Sequence, residues 1–378
     1  MEEFKTPNIP TVSVNDCIDT LAELYSNVLK AGMPLKSIPT PFLWGAVGVG
    51  KSQGIRQLAD RLAVASGRRT VVTDVRLLLF NPIDLRGIPV ANNEKTLAVW
   101  LKPSILKMDE SEDCLNILFL DELSAAPQTV QAAAYQICLD RTVGEHALPD
   151  NCIVIAAGNR TTDRSVSFKM PRALCNRLMH FNIKSDFDAW RSWAVNHGID
   201  GRIIGFLGFD HARYATDAGE DSSCGRLCQS PDSGDLAFAT PRSWEFVSNI
   251  LKAMDCDVEK AHLLISAAVG GDVAVDFENW CKVSENLPSI DNILAGTETK
   301  YPRKHDVLYT LVASISSAVI SRADKITVAE LQNACDYANR FPKDFVEVFY
   351  EDLNSSQEIR LKLMKCRLPL GFFGNKRV

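Results

Sequence analysis

The sequence predicts an α/β fold with a doubly wound parallel sheet, followed by an all-helical region. Four short, nearly continuous apolar runs lie within residues 36–186, which is typical of strands buried on both faces of a parallel sheet. Helical patterns separate these runs, and only helical patterns follow Phe187. The runs are PFLWG (41–45), RTVVTDVRL (69–77), LNILFLDE (115–122) and NCIVIAAGN (151–159).

Helices are predicted wherever apolar residues recur at helical spacing, and the first precedes the first strand. Ser13 and Asp16 form a capping signal at the start of SVNDCIDTLAELYSNVLKAGMPL. Two more helices are predicted around 51–66 and 127–139, between the strands. The later helical segments are 188–198, 242–254, 260–270, 306–322, 328–341 and 356–366.

These elements divide the sequence into four segments. Residues 210–240 are polar and rich in turn formers, which indicates a connecting loop. The other segments are an N-terminal helical segment (1–35), an α/β core (36–209) and a helical lid with a C-terminal helical extension (241–378).

The composition is that of an ordinary globular protein. The 378 residues carry 41 Lys and Arg against 47 Asp and Glu, a formal charge of −6, which argues against a protein that binds nucleic acid with its whole surface. No run of 18 apolar residues occurs, and MEEFKTPNIP lacks the apolar core of a signal peptide. We therefore expect no membrane span and a cytoplasmic protein.

The eleven cysteines are expected to be buried thiols, since a reducing cytosol disfavours disulfides. The closest pair, Cys224 and Cys228, lacks a second pair or nearby histidines. A structural zinc site is therefore disfavoured.

Residues 45–52 satisfy the phosphate-binding pattern G-x-x-x-x-G-K-S. The glycines free backbone N–H groups to approach phosphates at a helix N-terminus, and Lys51 adds a point charge. The predicted binding residues are Gly45, Ala46, Val47, Gly48, Val49, Gly50, Lys51 and Ser52.

A second motif, NILFLDEL, makes a chance match improbable. Its buried strand delivers Asp121 and Glu122 to the carboxyl edge of the sheet. Asp121 would hold Mg²⁺ together with Ser52, and Glu122 would polarise an attacking water.

The same loop also fits a serine-hydrolase pattern, G-x-S-x-G, beginning at Gly50. That alternative needs an acidic residue and then a histidine further along the chain, and neither His180 nor His197 carries a mark of such a base. It also leaves Gly45 and Lys51 without a role, so we disfavour it.

A third element ends in Asn159, after CIVIAAG. Its amide would hydrogen-bond the attacking water or the γ-phosphate, although spacing alone fits a strand-ending turn equally well.

With these motifs in order, residues 36–255 resemble an AAA+ ATPase of the MoxR and dynein-related group. NPIDLRGIPVANNEKTLAVWLKPSIL resembles the segment in which a β-hairpin interrupts the second helix of that group, with strands 88–91 and 96–100 and a turn at Asn92–Asn93. Residues 141–149 resemble the presensor hairpin. Val47 stands where many relatives carry proline, a departure that should not impair phosphate binding.

The resemblance implies roles for three further positions. Asn159 would be sensor 1, Arg177 in PRALCNRLMHF the arginine finger offered to a neighbouring subunit, and Arg242 in ATPRSWEFV sensor 2 on the lid. Arg172 is either a second interface arginine or a solvated charge. DRSVS (163–167) matches a metal-dependent adhesion site, but its position favours a chance match.

The resemblance further implies ATP and Mg²⁺ as cofactors, a homo-oligomeric ring expected to be hexameric, and a remodelled protein partner. A protein with a von Willebrand A domain is one partner class that the group suggests. A nucleic-acid motor is the alternative, but the hairpins offer only Lys95 and Arg141. A degenerate ATP-binding scaffold is disfavoured because Lys51, Asp121 and Glu122 are intact.

Overall fold

Six strands of the first half of the chain form one parallel sheet. The computed structural model describes residues 9–160, 170, 172–214, 225–229, 236–283 and 287–367. The strands are β1 (Thr11–Val12), β2 (Thr40–Trp44), β3 (Arg69–Arg76), β6 (Cys114–Asp121), β9 (Cys152–Gly158) and β10 (Leu178–Ile183). Along the sheet their order is β1-β10-β2-β9-β6-β3, and each pairing is parallel. The predicted α/β fold and its four apolar strands are confirmed.

Helices cover both faces of this sheet. They are α1 (Val14–Lys30), α2 (Lys51–Ser66), α3 (Pro82–Arg86), α4 (Gln128–Asp140) and α5 (Arg172–Cys175). Along β6, Ile117 and Phe119 join the core under α1 and α2, whereas Leu118 and Leu120 join the core under α4. Because alternate residues of a strand point to opposite faces, a strand covered on both sides needs a continuous apolar run.

The first helix begins where the sequence predicts. The Ser13 side chain accepts a hydrogen bond from the backbone N–H of Asp16, which satisfies one of the four unpaired donors at a helix start. Cys17, Ile18, Leu21 and Tyr25 then lie on the buried face of α1.

Both predicted hairpins are present. They pair β4 (Ile88–Ala91) with β5 (Ala98–Leu101), and β7 (Thr142–Val143) with β8 (His146–Ala147). The predicted turn at Asn92–Asn93 is wrong: the loop spans 92–97 and the second strand begins two residues later than 96. The cause is Asn92, whose side chain accepts from the backbone N–H groups of Thr96 and Leu97 and so holds a longer loop.

The second half of the chain is helical, as predicted. Its helices are α6 (Phe187–Asn196), α7 (Gly201–Tyr214), α8 (Pro241–Ala253), α9 (Val258–Val269), α10 (Gly271–Val283), α11 (Ile290–Leu294), α12 (His305–Ser321), α13 (Val328–Ala338), α14 (Lys343–Asn354) and α15 (Gln357–Leu363). The sequence missed α7, α10, α11 and α14. The first five residues of the predicted connecting loop, 210–214, belong to α7.

The chain divides into two compact units, Met1–Ser185 and Asp186–Val378. The sequence-based division instead ended the α/β core at residue 209. The difference arises because α6 and α7 pack into the apolar core of the second unit through residues such as Trp190 and Leu207.

The expectation that every cysteine is buried is only partly confirmed. Cys256 is exposed, and Cys175, Cys228 and Cys366 are half-buried. The six buried thiols are Cys17, Cys114, Cys138, Cys152, Cys281 and Cys335. Burial raises the pKa of Cys138 and of Cys152 to about 12, which makes these thiols unreactive.

Across the described part of the chain, the structure contains no helix with both the length and the apolar character that crossing a membrane requires.

Candidate functional site

The loop between β2 and α2 forms the centre of the candidate site. Gly50 precedes the first residue of α2 with a φ of 96°, a backbone conformation that favours glycine. At Gly45 a side chain would meet the carbonyl oxygen of Ile183 at 2.9 Å. The loop therefore needs glycine for conformation at one end and for close packing at the other.

Lys51 is held inside this loop. Its side chain is buried, and its Nζ donates to the carbonyl oxygens of Gly45 at 2.6 Å and of Ala46 at 3.0 Å. It also donates to Oδ1 of Asn159 at 3.2 Å. The Lys51 ammonium therefore lies inside the loop, where it can donate charge-assisted hydrogen bonds to an anion such as phosphate.

Ser52 and Asp121 meet at the carboxyl edge of the sheet. The Ser52 hydroxyl donates to Oδ2 of Asp121 at 2.9 Å, while Oδ1 of Asp121 accepts from the backbone N–H of Glu122. The two residues that the sequence assigns to one metal ion are therefore in direct contact. Both offer the hard oxygen ligands that Mg²⁺ prefers.

Asp74, on the neighbouring strand β3, adds negative charge near this edge. Burial and the charge of Asp121 raise the pKa of the Asp74 carboxyl, although Arg76 and Arg56 oppose the shift. Asp74 therefore places a second carboxyl group close enough to Asp121 for the two charges to interact. The sequence did not single out Asp74, because no motif marks it.

Glu122 follows Asp121 with a φ of 58°. Glutamate rarely adopts a positive φ, and such strain is typical of residues whose side chain must point in one direction. The backbone N–H of Leu123 then donates to the carbonyl oxygen of Ala157, which fixes the segment against β9.

Ser124 links the two strands that supply the polar residues, and sequence reasoning missed it. Its hydroxyl donates to the carbonyl oxygen of Asn159 at 3.1 Å and accepts from the backbone N–H of the same residue at 2.9 Å. The only signal available was a serine two residues after Glu122. These bonds fix the backbone of Asn159, whose side chain accepts from Lys51.

The predicted arginines belong to other elements of the chain. Arg177 is exposed in the turn between α5 and β10, within the first unit, and Arg242 is exposed in the first turn of α8, within the second. Arg172 begins α5, but its side chain lies outside the described residues, as do DRSVS (163–167) and Cys224.

The contacts of Ser52 do not support a nucleophile. Its hydroxyl donates to a carboxylate, whereas a nucleophilic serine donates to a general base such as histidine. Both ring nitrogens of His180 are engaged by Trp44 and by the carbonyl oxygen of Cys175. The arrangement thus favours a metal ligand at Ser52.

No cluster of three or more His, Cys, Asp or Glu side chains that could hold a metal ion occurs among the residues described. The Ser52–Asp121 pair is smaller than such a cluster. That size suits Mg²⁺, which takes most of its ligands from water and substrate phosphates.

No known family model matches the chain, and neither does any curated protein. Among solved structures, the chain is similar to C. elegans PCH-2, with 13% identity, 82% of this chain and 70% of that chain covered, and a TM-score of 0.34. It is similar to a mutant of Thermotoga maritima RuvB, with 13% identity, 94% and 99% covered, and a TM-score of 0.36. It is also similar to NtrX from Brucella abortus, with 12% identity, 91% of this chain and 69% of that chain covered, and a TM-score of 0.35. Similarity at this level supports no functional conclusion. The function must therefore be inferred from the geometry of the candidate site.

Proposed function

We propose that the protein is a Mg²⁺-dependent ATPase of the AAA+ type, in the MoxR and dynein-related group. One observation carries the proposal: Lys51, Ser52, Asp121, Glu122 and Asn159 converge at one edge of a parallel sheet, beside a glycine loop at a helix N-terminus. This is the arrangement that phosphoryl transfer requires, because its catalysis consists mainly of positioning and charge neutralisation.

Each residue then has a distinct role toward ATP. Backbone N–H groups of residues 45–52 bind the phosphates, and Lys51 exchanges its contacts with loop carbonyls for contacts with phosphate oxygens. Ser52 and Asp121 hold Mg²⁺, which when bound neutralises charge on the phosphates. Glu122 accepts a proton from the attacking water, and the Asn159 amide orients that water or the γ-phosphate.

We further propose that the active site is completed by a second copy of the chain. Arg177 is exposed in the turn that follows α5, and it would reach the γ-phosphate of a neighbouring subunit. A guanidinium supplied in trans couples hydrolysis to assembly, here into a hexameric ring. Arg242 would contact nucleotide as part of the helical lid.

The 88–101 hairpin favours a protein partner over nucleic acid. Ile88 pairs with Leu101 and Val90 with Val99, so these four side chains share one face, and each is between 37% and 58% exposed. An exposed apolar face suits contact with protein, whereas single-stranded nucleic acid requires basic and stacking side chains. We therefore propose remodelling of a protein in the cytoplasm; a von Willebrand A domain remains one class of partner.

Phosphate release from ATP tests the catalytic proposal. We expect turnover that requires Mg²⁺ and is abolished by Lys51→Ala. Lys36→Ala is the matched control, because Lys36 is an exposed lysine of the same unit that pairs with exposed Asp150. Wild-type turnover in the Lys51→Ala variant would refute the proposal.

The partner class is tested by adding candidate ligands to the same assay. We expect stimulation by carboxymethylated α-lactalbumin, a permanently unfolded protein, and none by duplex or single-stranded DNA. Stimulation by DNA alone would favour the nucleic-acid motor.

A further inference from the structure

The side chain of His180 connects the strand that leads into the nucleotide loop with the turn that carries Arg177. Trp44 is the last residue of β2, directly before Gly45, and its Nε1 lies 2.9 Å from Nδ1 of His180. On the other side of the ring, Nε2 lies 2.8 Å from the carbonyl oxygen of Cys175. The Trp44 and His180 rings also stack, with centroids 6.1 Å apart.

These contacts determine the tautomer of His180. An indole N–H can only donate, so Nδ1 of His180 must be unprotonated and accept. In the neutral ring the proton is then on Nε2, where it donates to the carbonyl oxygen of Cys175. The neutral imidazole therefore accepts a hydrogen bond from Trp44 on one side and donates one to the carbonyl oxygen of Cys175 on the other.

The carbonyl that His180 binds belongs to the last residue of α5. Carbonyl groups at a helix C-terminus have no partner within the helix, so this bond closes the short segment 175–180. Arg177 lies inside that closed segment, where its backbone N–H donates to the carbonyl oxygen of Leu174. Its side chain remains exposed.

Strand pairing does not require these side-chain bonds. The backbones of β2 and β10 are already in register, with Phe42 opposite His180 and Trp44 opposite Asn182. The bond to Cys175 reaches beyond the sheet, to the turn itself. Its effect is therefore on the position of the turn relative to the end of β2.

We propose that His180 is a positioning residue for Arg177, which ties the placement of this arginine to the strand that ends at the nucleotide loop. The proposal rests on the trans role of Arg177 proposed above. A change at the loop of one subunit would then alter the arginine that the same subunit offers to its neighbour. The link provides a route for communication from site to site around a ring.

Two substitutions remove the link by different means. His180→Phe keeps an aromatic ring but removes both hydrogen bonds, and Trp44→Phe removes only the donor to Nδ1. We expect His180→Phe to lower turnover about 10²-fold, the cost of a misplacement of about 1 Å, with the affinity for a fluorescent ATP analogue almost unchanged. His197→Phe is the control, since His197 stacks on Trp193 in the second unit, and it should retain wild-type turnover. Wild-type turnover in His180→Phe would overturn the proposal.

Two conservative variants separate the two bonds. A glutamine amide lies near the position of Nε2 and can still donate to Cys175, whereas an asparagine amide lies near Nδ1 and reaches only Trp44. We expect His180→Gln to retain more turnover than His180→Asn. Equal turnover in the two variants would contradict a role for the Cys175 contact, and this comparison holds even if the phenylalanine variant folds poorly.

Mixed rings show whether His180 acts on the neighbour. Lys51→Ala subunits supply an intact Arg177, so mixing them with His180→Phe subunits should restore turnover at interfaces where that arginine faces an intact loop. Mixing His180→Phe subunits with Arg177→Ala subunits should not restore turnover. In that mixture only the His180→Phe subunits carry Arg177, and there it is misplaced. If turnover were restored by mixing with Arg177→Ala subunits but not by mixing with Lys51→Ala subunits, His180 would act on the loop of its own subunit. That result would refute the proposal.

A parallel mixture of Lys51→Ala with Arg177→Ala separates this inference from the proposed function. If that mixture shows no turnover above its parents, with mixed rings confirmed by mass, the trans role of Arg177 fails, and the inference fails with it. If that mixture is active but the His180→Phe mixtures are not as expected, only the inference fails.

Discussion

Glu122 combines a strained backbone with a proposed catalytic side chain. Its φ of 58° costs about 1–2 kcal/mol in a residue with a Cβ, yet the adjacent bond from its N–H to Asp121 holds this conformation. We expect Glu122→Gln to lower turnover by about 10²–10⁴-fold, because an amide cannot accept the proton from water. ATP binding should persist, since Lys51 and Ser52 are unchanged, and equilibrium binding of labelled ATP measures this. Turnover within about twofold of wild type would remove Glu122 from the mechanism.

Glu122→Gly separates strain from catalysis. Glycine adopts a positive φ without strain, although it also gives the unfolded chain more freedom, so the free energy of unfolding should stay equal or rise by up to about 1 kcal/mol. Turnover should be lost as in the glutamine variant. Ala65→Gly, on the exposed side of α2, is the control and should lower the unfolding free energy by about 0.5–1 kcal/mol. Equal losses in both variants, measured by urea unfolding, would show that Glu122 is not strained.

The packing of α7 against α12 gives a prediction at the scale of elements. A side chain at Gly205 would meet the backbone of Thr310, with its Cα at 2.5 Å and its N at 2.8 Å, whereas at Gly208 the nearest atoms lie at 3.4 Å or more. We therefore expect Gly205→Ala to lower the free energy of unfolding by about 1–3 kcal/mol. Gly208→Ala, in the same helix, should raise it by about 1 kcal/mol through helix propensity. Thermal unfolding of both variants checks the pair, and equal shifts would contradict this packing.

The same glycines explain why α7 was not predicted. Gly201, Gly205 and Gly208 lower the helix propensity of the segment, but close packing on α12 requires small residues at the first two of these positions. The parallel strands were predicted because burial on both faces leaves a continuous apolar run, as in β6. Propensity is a local property, and tertiary packing overrides it here.

In the candidate site, too, the residues of local motifs were predicted and those that depend on tertiary packing were not. Lys51, Ser52, Asp121 and Glu122 were predicted because each lies in a contiguous motif. Asp74, Ser124 and His180 were not predicted in these roles, since only the approach of distant strands brings them to the site. A sequence motif reports residues on one segment, whereas supporting contacts depend on the whole sheet.

At the scale of the whole molecule, the proposed completion of the site by a second chain predicts that turnover depends on assembly. We expect turnover per subunit to rise with protein concentration, because dilution separates each loop from the Arg177 of its neighbour. Arg177→Ala should remain inactive at every concentration while still binding ATP. Loss of an arginine finger costs 10³–10⁵-fold, about 4–7 kcal/mol, which is far more than an exposed ion pair contributes.

The Glu122→Gln variant allows the assembly itself to be measured. Because it binds ATP without hydrolysing it, ATP should hold its subunits together, and six subunits of 41.8 kDa give a mass of about 250 kDa by light scattering. The doubly substituted Lys51→Ala, Glu122→Gln variant is the control and should not gain mass with ATP. If wild-type turnover per subunit stayed constant down to concentrations at which only the 41.8 kDa monomer is present, each chain would hold a complete site. The exposed position of Arg177 would then need an explanation other than catalysis in trans.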